Sequence, residues 1–209
     1  MKRFFAVIVF VVAVLLIIGK YADDEEKRGT STGIHLPPMP AVSCGQRCGT
    51  EWWEIKTLSD EGRVDVDLTP VPTTLEALAG LPRPVQVSQN VRSSPIENTT
   101  YQIDAYLAGW RSENDGDLHL ILAGLTDKRA TLIAEIPSPS CGGVYASGLT
   151  SEFAKARAAL EEILAQPNPN DAPIVVRVTG VGFFDRYHGQ VGASPNLFEL
   201  HPVLRLERH

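Results

Sequence analysis

The chain has 209 residues, of which 44% are hydrophobic and 21% are charged, and its formal net charge is -6. This length and composition suit one globular domain with an appendage and exclude collagen-like, coiled-coil and disordered classes. The excess of acidic residues argues against a protein that binds nucleic-acid backbone, because that affinity comes from clustered Lys and Arg.

Residues 1–22 predict a signal anchor, that is, a transmembrane helix. Two cations at residues 2–3 precede an unbroken apolar run over residues 4–18, and an acidic cluster begins at Asp23. The run is typical of a membrane span or of a signal-peptide core. We favour an uncleaved anchor, because cleavage before Asp23 would place Lys20 where a small residue is required; secretion after cleavage is the alternative. The flanking charges predict a single-pass protein of the cytoplasmic membrane with its C-terminal domain outside the cytoplasm.

Residues 23–50 predict a tether, since a charged cluster is followed by a Gly/Ser/Thr stretch and by prolines at 37, 38 and 40. The alternative is that the proline segment packs on the domain. Residues 51–209 would then form that domain, with its best-defined part at residues 100–206.

Three cysteines follow the predicted span: Cys44, Cys48 and Cys141. Outside the cytoplasm, one disulfide and one leftover thiol is the simplest account. The sequence does not show which two pair. A zinc corner and three free thiols stay open as alternatives, although a fourth zinc ligand is not obvious.

Hydrophobic alternation from residue 51 onward predicts a mainly β domain. The predicted strands cover residues 53–56, 64–68, 85–87, 101–107, 118–122, 130–136, 174–184 and 197–206. The first two are expected to form a hairpin, and an Asp-Gly turn at residues 113–116 predicts another. Helices are predicted at residues 73–78, with a Thr cap, and at 151–166, with Ser151 as its cap.

This order predicts a small antiparallel OB-like barrel with an inserted helix, preceded by the N-terminal transmembrane helix. A doubly wound sheet is excluded because repeated βαβ units are absent. Glycines at 180 and 182, inside a long apolar strand, predict a bulge or tight curvature.

The first candidate site is a late cluster of polar residues: Asp185, His188, Glu199 and His201. If the last two strands pair, these side chains converge near the loop that joins them. Two His and two carboxylates suit a divalent metal, or a general base with a residue that orients it. The alternative is structural: His188 would fix the loop by bonding Glu199 or a backbone carbonyl, and His201 would be a buried sheet residue.

A second candidate consists of Asp117 and His119, which point away from the leucine face of their strand and are expected to meet Asp104 or Glu135. A structural role is the alternative here too. Cys141, with a His as base, is a candidate nucleophile, although an exterior location favours a disulfide. For the Trp and Tyr side chains we expect core packing rather than a stacking surface for ligands.

Residues 113–120, 133–137, 182–190 and 196–203 resemble a family of uncharacterised bacterial domains. That family has a DGD-hydrophobic-HL turn and an ending of the form FD..HGQ…ELHPV. The resemblance covers residues 100–206 and implies a domain boundary, but no activity. Leu197 and Phe198, just before Glu199, depart from the family pattern.

Two functions are therefore expected. The first is a membrane-anchored extracytoplasmic binding or interaction domain, whose protein or small-molecule ligand the sequence does not identify. The alternative is a metal-dependent hydrolase, with phosphodiesters as the candidate substrate, in which Asp185, His188, Glu199 and His201 hold an ion that activates water. No cofactor other than a divalent metal is indicated.

Overall fold

The computed structural model describes Cys48, Gly49 and residues 51–168 and 172–209. The predicted anchor and all of the predicted tether except Cys48 and Gly49 lie outside these residues. No helix within the described ranges is both long enough and apolar enough to cross a membrane.

Helices and strands are numbered here in chain order. They are α1 (Trp53–Lys56), β1 (Asp67–Pro72), α2 (Leu75–Ala79), β2 (Thr99–Ser112), β3 (Leu118–Ala123), β4 (Thr131–Ile136), α3 (Val144–Ser147), α4 (Thr150–Ala165), β5 (Val175–Phe184) and β6 (Phe198–Arg208). Short 3₁₀ turns cover Glu61–Asp65 and Ile96–Asn98.

The domain is mainly β and contains a closed five-stranded barrel, as predicted. Strands follow one another around the barrel in the order β2-β3-β4-β6-β5, and β5 pairs again with β2. The long strand β2 makes closure possible, because its first half pairs with β5 and its second half with β3. This order, with α4 inserted after the third barrel strand, is consistent with an OB-like barrel.

The expectation of a purely antiparallel barrel needs one correction. β4 and β6 run parallel, whereas the other four neighbouring pairs in the barrel are antiparallel. The reason is geometric: strand direction cannot alternate all the way round a ring with an odd number of strands. The outlying strand β1 also pairs in parallel, with the beginning of β2.

The barrel core is filled by alternate residues of the strands. Leu118, Leu120 and Leu122 point inward from β3 and are almost completely buried. The apolar side chains of α4 that include Leu160 and Ile163 pack against this core. The helix starts one residue earlier than predicted, and Ser151 is not its cap: Leu149 occupies the cap position without a side-chain hydrogen bond.

Other local predictions are confirmed. The Asp-Gly hairpin between β2 and β3 is present, and Gly116 adopts a φ of 87°, which favours glycine. In α2, the Thr74 hydroxyl accepts a hydrogen bond from the Ala77 N–H at 3.1 Å, and the helix ends at Gly80.

The predicted N-terminal hairpin is wrong. Residues 53–56 form helix α1, residues 64–68 overlap a 3₁₀ turn and the start of β1, and residues 85–87 form no strand. Trp52, Trp53 and Ile55 are all buried, so the apparent alternation at this point reflects packing of a helical turn on the barrel. Residues 142–148, to which the sequence analysis assigned no helix or strand, contain the short helix α3.

The glycine bulge in β5 is confirmed, since the β5–β6 register shifts between Thr179 and Gly180 and again between Gly180 and Gly182. A Cβ atom on Gly182 would lie 2.6 Å from the carbonyl oxygen of Ile96 and 2.9 Å from the Tyr101 ring. The first of these is a backbone atom that cannot rotate away. The bend in β5 therefore depends on Gly182 having no side chain.

We expect Gly182→Ala to lower the free energy of unfolding by about 1–3 kcal/mol, because overpacking a filled interior strains side chains and backbone. Urea denaturation followed by Trp fluorescence measures this. The matched control is Gly109→Ala in β2, whose added Cβ would meet only Ile121 Cδ1, at 3.8 Å, and which should change stability by about 0.5 kcal/mol or less. Equal effects of the two variants would contradict the packing argument.

Candidate metal centre

A polar cleft of about 470 Å³ lies on the outer face of the barrel. It is bounded by the β2–β3 hairpin, the loop after β5, and helix α1. Seven carboxylates line it: Glu51, Glu113, Asp115, Asp117, Glu135, Asp185 and Glu199. The permanently cationic side chains in its lining are Lys56 and Arg111, so the wall carries a marked excess of negative charge.

Strand pairing explains why these side chains share a face. His119 on β3 lies opposite Glu135 on β4. Parallel pairing places Ile133 of β4 opposite Glu199 of β6, and the latter also lies opposite Phe183 of β5. Because successive residues of a strand point to opposite faces, these positions lie outside the barrel while their neighbours fill the core.

Glu135 is at the centre of the cluster. Its Oε1 is 2.8 Å from Nδ1 of His119, its Oε2 is 3.0 Å from Nδ1 of His201, and the same Oε2 is 3.9 Å from Nζ of Lys56. Burial alone would raise the pKa of Glu135, but His201, the bond with His119 and Lys56 together hold that pKa well below its usual range. Glu135 is therefore a buried carboxylate held in its ionised form.

The orientation of His119 exposes Nδ1 to two carboxylates. Its Nε2 lies 3.1 Å from the carbonyl oxygen of Val191, which only accepts, so Nε2 carries the proton and donates. Nδ1 then faces Glu135 Oε1 at 2.8 Å and Glu113 Oε1 at 3.4 Å. A bare nitrogen lone pair would be repelled by both oxygens, so a proton or a metal cation is required between them.

His201 is completely buried between two carboxylates. Its Nδ1 is 3.0 Å from Glu135 Oε2, and its Nε2 is 3.5 Å from Asp117 Oδ2. Neither nitrogen is aligned with an oxygen well enough to form a hydrogen bond with the described residues. Burial would lower the pKa of His201, but Glu135 and Asp117 raise it to about 9.

Two more carboxyl groups are buried beside this pair. Burial raises the pKa of Glu199 well above its usual range, and the nearby charges of Glu135 and Asp185 raise it further. Its Oε2 makes no hydrogen bond with the described residues. Burial also raises the pKa of Asp117, whose Oδ1 accepts a hydrogen bond from the Ser138 N–H at 3.0 Å.

At the rim of the cleft, His188 and Asp185 form a pair. His188 Nε2 lies 3.3 Å from Asp185 Oδ2, and the His188 side chain is about half exposed whereas that of Asp185 is buried. The loop is fixed by Gln190, which accepts a hydrogen bond from the His188 N–H and donates one to the Arg186 carbonyl.

Five of the six predicted site residues therefore line one cleft rather than forming two clusters, and the sixth, His201, lies beneath its wall. Within the first set, His188 pairs with Asp185 and not with Glu199, which was one of the two partners offered by the structural alternative. His201 contacts Asp117 of the second set. In the second set, His119 meets Glu135 as predicted, whereas Asp104 is remote from it and pairs with Arg177.

Lys56 and Glu113 were not among the residues singled out from the sequence. Lys56 was assigned to a strand that does not exist, so nothing in the sequence pattern could place it here. Glu113 did carry a signal, because it precedes the Asn-Asp-Gly turn of a hairpin whose next strand begins close to His119.

Two groups of three side chains among the described residues have donor atoms close enough to hold a metal ion. One consists of Glu113, His119 and Glu135, and the other of Asp117, Glu135 and His201. Carboxylate oxygen with imidazole nitrogen is a donor set that suits Mn²⁺ or Zn²⁺.

A disulfide between Cys48 and Cys141 attaches the segment that carries α1 to the barrel, across 93 residues of sequence. The Trp53 indole N–H reinforces the junction by donating to the Gly142 carbonyl at 3.0 Å. The predicted disulfide is thus present with a defined pairing, and the zinc-corner and Cys141-nucleophile hypotheses are wrong because both sulfurs are bonded. Cys44 lies outside the described residues.

Comparison of the chain with protein-family models, with curated proteins and with solved structures finds no significant match. The proposed function is accordingly derived from the geometry of the cleft.

The disulfide assignment predicts a specific cross-linked peptide. Trypsin cuts after Arg47, so Cys44 and Cys48 fall on separate peptides, and we expect peptide 48–56 to be joined to peptide 130–155 in an unreduced digest. Mass spectrometry before and after reduction detects this. Peptide 29–47 joined to peptide 130–155 would contradict the assignment. Reduction should also lower the free energy of unfolding by about 2–5 kcal/mol.

Proposed function

We propose that this chain is a membrane-anchored, extracytoplasmic binding domain whose acidic cleft takes a divalent cation and, through it, an oxygen-bearing ligand. The observation that carries the proposal is the orientation of His119. Its Nε2–H donates to a backbone carbonyl while its Nδ1 and two carboxylate oxygens converge in the cleft wall. A metal-ligating histidine commonly donates its second N–H in this way, which fixes the ring and its tautomer.

The position of the cleft supports a binding role. In an OB-like barrel, ligands bind at the face of the second and third strands and at the loops after the first and fourth. Because β2 is the first strand of this barrel, the corresponding parts are β3 with β4, the hairpin at residues 113–117, and the loop beginning at Asp185. Those are the parts that line the cleft. The likeness to OB-like barrels is one of fold alone. The acidic wall of this cleft favours a ligand that binds through a cation over a bare nucleic-acid backbone.

Two observations support the proposed location. The apolar run over residues 4–18, with cations before it and acids after it, has the pattern of a span whose following domain lies outside the cytoplasm. The disulfide between Cys48 and Cys141 suits an oxidising compartment.

We expect the full-length protein, purified in detergent and stripped with EDTA, to gain thermal stability when Mn²⁺ or Zn²⁺ is added. A ligand at a hundred times its Kd stabilises the folded state by about 2.7 kcal/mol, roughly 5–10 °C in Tm for a domain of this size. Differential scanning fluorimetry measures the shift. Glu113→Gln should abolish most of it, because one of the two carboxylates that would bind the ion together with His119 is lost.

Glu162→Gln is the matched control. This residue is exposed on α4, away from the cleft, and the variant should respond to Mn²⁺ as the native protein does. If neither ion stabilises the native protein, the proposal is wrong. An equal response of the Glu113 and Glu162 variants would place the bound ion elsewhere.

A metal-dependent hydrolase is the second candidate, and the His188–Asp185 pair favours it. A general base needs a partner that orients its ring, and the half-exposed His188 has one in the buried Asp185. His188 would take a proton from a water whose oxygen attacks phosphorus. The ester P–O bond would break, and the departing alkoxide would recover a proton.

If the protein is such a hydrolase, His188→Ala should lower the Mn²⁺-dependent cleavage of bis(p-nitrophenyl) phosphate by about a hundredfold or more, the usual contribution of a general base. The control is Tyr187→Ala, since the neighbouring Tyr187 side chain is largely exposed. Absorbance of released p-nitrophenolate gives the rate. If the native protein does not cleave this ester, or if the His188 variant still cleaves it, the hydrolase candidate is excluded and only the binding function is left.

A further inference from the structure

We propose that the cleft holds two divalent cations rather than one, bridged by the carboxylate of Glu135. The outer ion would be bound by Glu113, His119 and Glu135 Oε1, and the inner ion by Asp117, His201 and Glu135 Oε2. The inference rests on the proposed function for the outer ion and adds a second, deeper site.

The first argument is the symmetry around Glu135. Each of its two oxygens faces a different imidazole, at 2.8 Å for His119 and 3.0 Å for His201. Each imidazole also faces a second carboxylate: Glu113 Oε1 lies 3.4 Å from the same Nδ1 of His119, and Asp117 Oδ2 lies 3.5 Å from the other nitrogen, Nε2, of His201. One bridging carboxylate with a His and a carboxylate on either side is a donor set for two neighbouring ions. Two-metal sites place their ions about 3.5–4 Å apart.

The second argument is the state of the His201 side chain. The ring is completely buried, and both of its nitrogens lack a hydrogen-bond partner among the described residues although carboxylate oxygens lie 3.0 and 3.5 Å away. Two ligand atoms at about 2.1 Å from one ion are separated by roughly 3.0–3.4 Å and point at the ion instead of at each other. One ion takes only one nitrogen of the ring, and the 3.0 Å separation and poor alignment of His201 Nδ1 and Glu135 Oε2 fit shared coordination of the inner ion better than hydrogen bonding.

When no metal is bound, the ammonium group of Lys56 balances negative charge at the inner site. Its ammonium group lies 3.9 Å from Glu135 Oε2, the oxygen assigned to the inner ion, and stands 5.5 Å from the centre of the Phe183 ring. A cation at the inner site would repel the ammonium group, which borders the open cleft and has a flexible stem. Lys56 therefore competes with the inner ion for Glu135.

The test is the number of Mn²⁺ ions bound per chain by the full-length protein, measured by equilibrium dialysis and metal analysis, with low-temperature EPR on the same samples. We expect two ions and the spectrum of a spin-coupled pair. Asp117→Asn should retain one ion with the hyperfine pattern of isolated Mn²⁺. Its remaining oxygen can still accept the Ser138 N–H bond, and an unchanged Tm without metal will show that the variant folds.

Lys56→Gln provides a second variant that does not remove a ligand. Loss of the competing positive charge should lower the Kd of the inner ion by about tenfold or more, while the Kd of the outer ion changes less. An unchanged or weaker inner affinity would contradict the competition.

The possible results separate the two proposals. One Mn²⁺ per chain that is lost in Glu113→Gln overturns the two-cation centre and leaves the proposed function intact. No bound Mn²⁺ or Zn²⁺ overturns both. Two ions without spin coupling, or two ions retained by Asp117→Asn, place the second ion away from Glu135 and overturn this inference alone.

Discussion

The parallel pairing of β4 with β6 is the constraint on which the rest of the structure depends. It closes the five-stranded barrel, and with an odd number of strands at least one neighbouring pair must run parallel. The same pairing puts the outward residues of β4 beside those of β6. Glu135 and His119 belong to the half of the domain that precedes α4, whereas Glu199 and His201 come from the half that follows it. The half before α4 supplies the whole of the group Glu113, His119 and Glu135, whereas the group Asp117, Glu135 and His201 is completed only by β6.

Burying so many ionisable groups has a cost, since charges removed from water must find compensation within the protein. Here the compensation comes from inside the cluster. Lys56 and His201 face the ionised Glu135, and the raised pKa of Glu199 favours its neutral form. Apolar side chains of similar size would hold the barrel together without this arrangement. A cluster that costs stability and lies in the wall of an open cleft is better explained by what it binds than by what it stabilises.

The sequence predicts much of the barrel and of the candidate site because both depend on strand alternation. Period-two patterns placed His119, Glu199 and His201 opposite the buried leucines and phenylalanines, and the Asp-Gly turn located the β2–β3 hairpin. Alternation does not reveal which distant strands pair, so the meeting of Asp117 with His201 could not be predicted. It also failed at Trp53, where packing of a helical turn on the barrel imitates a strand pattern. The choice of Cys48 over Cys44 as the partner of Cys141 depends on three-dimensional distance, which spacing along the chain does not contain.

The late position of β6 has a consequence for assembly. This strand follows every other described element, and it supplies both the last barrel pairings and two of the buried polar residues of the cleft. During synthesis Asp117 and Glu135 emerge well before His201 on β6, so the inner donor group is completed only when the chain closes the ring. It differs in this from the zinc site of a zinc finger, whose ligands lie close together in the chain and whose metal drives folding. Loading of the proposed inner site is expected to follow folding, so metal supply would govern how much of the folded protein holds that ion rather than how much of it folds.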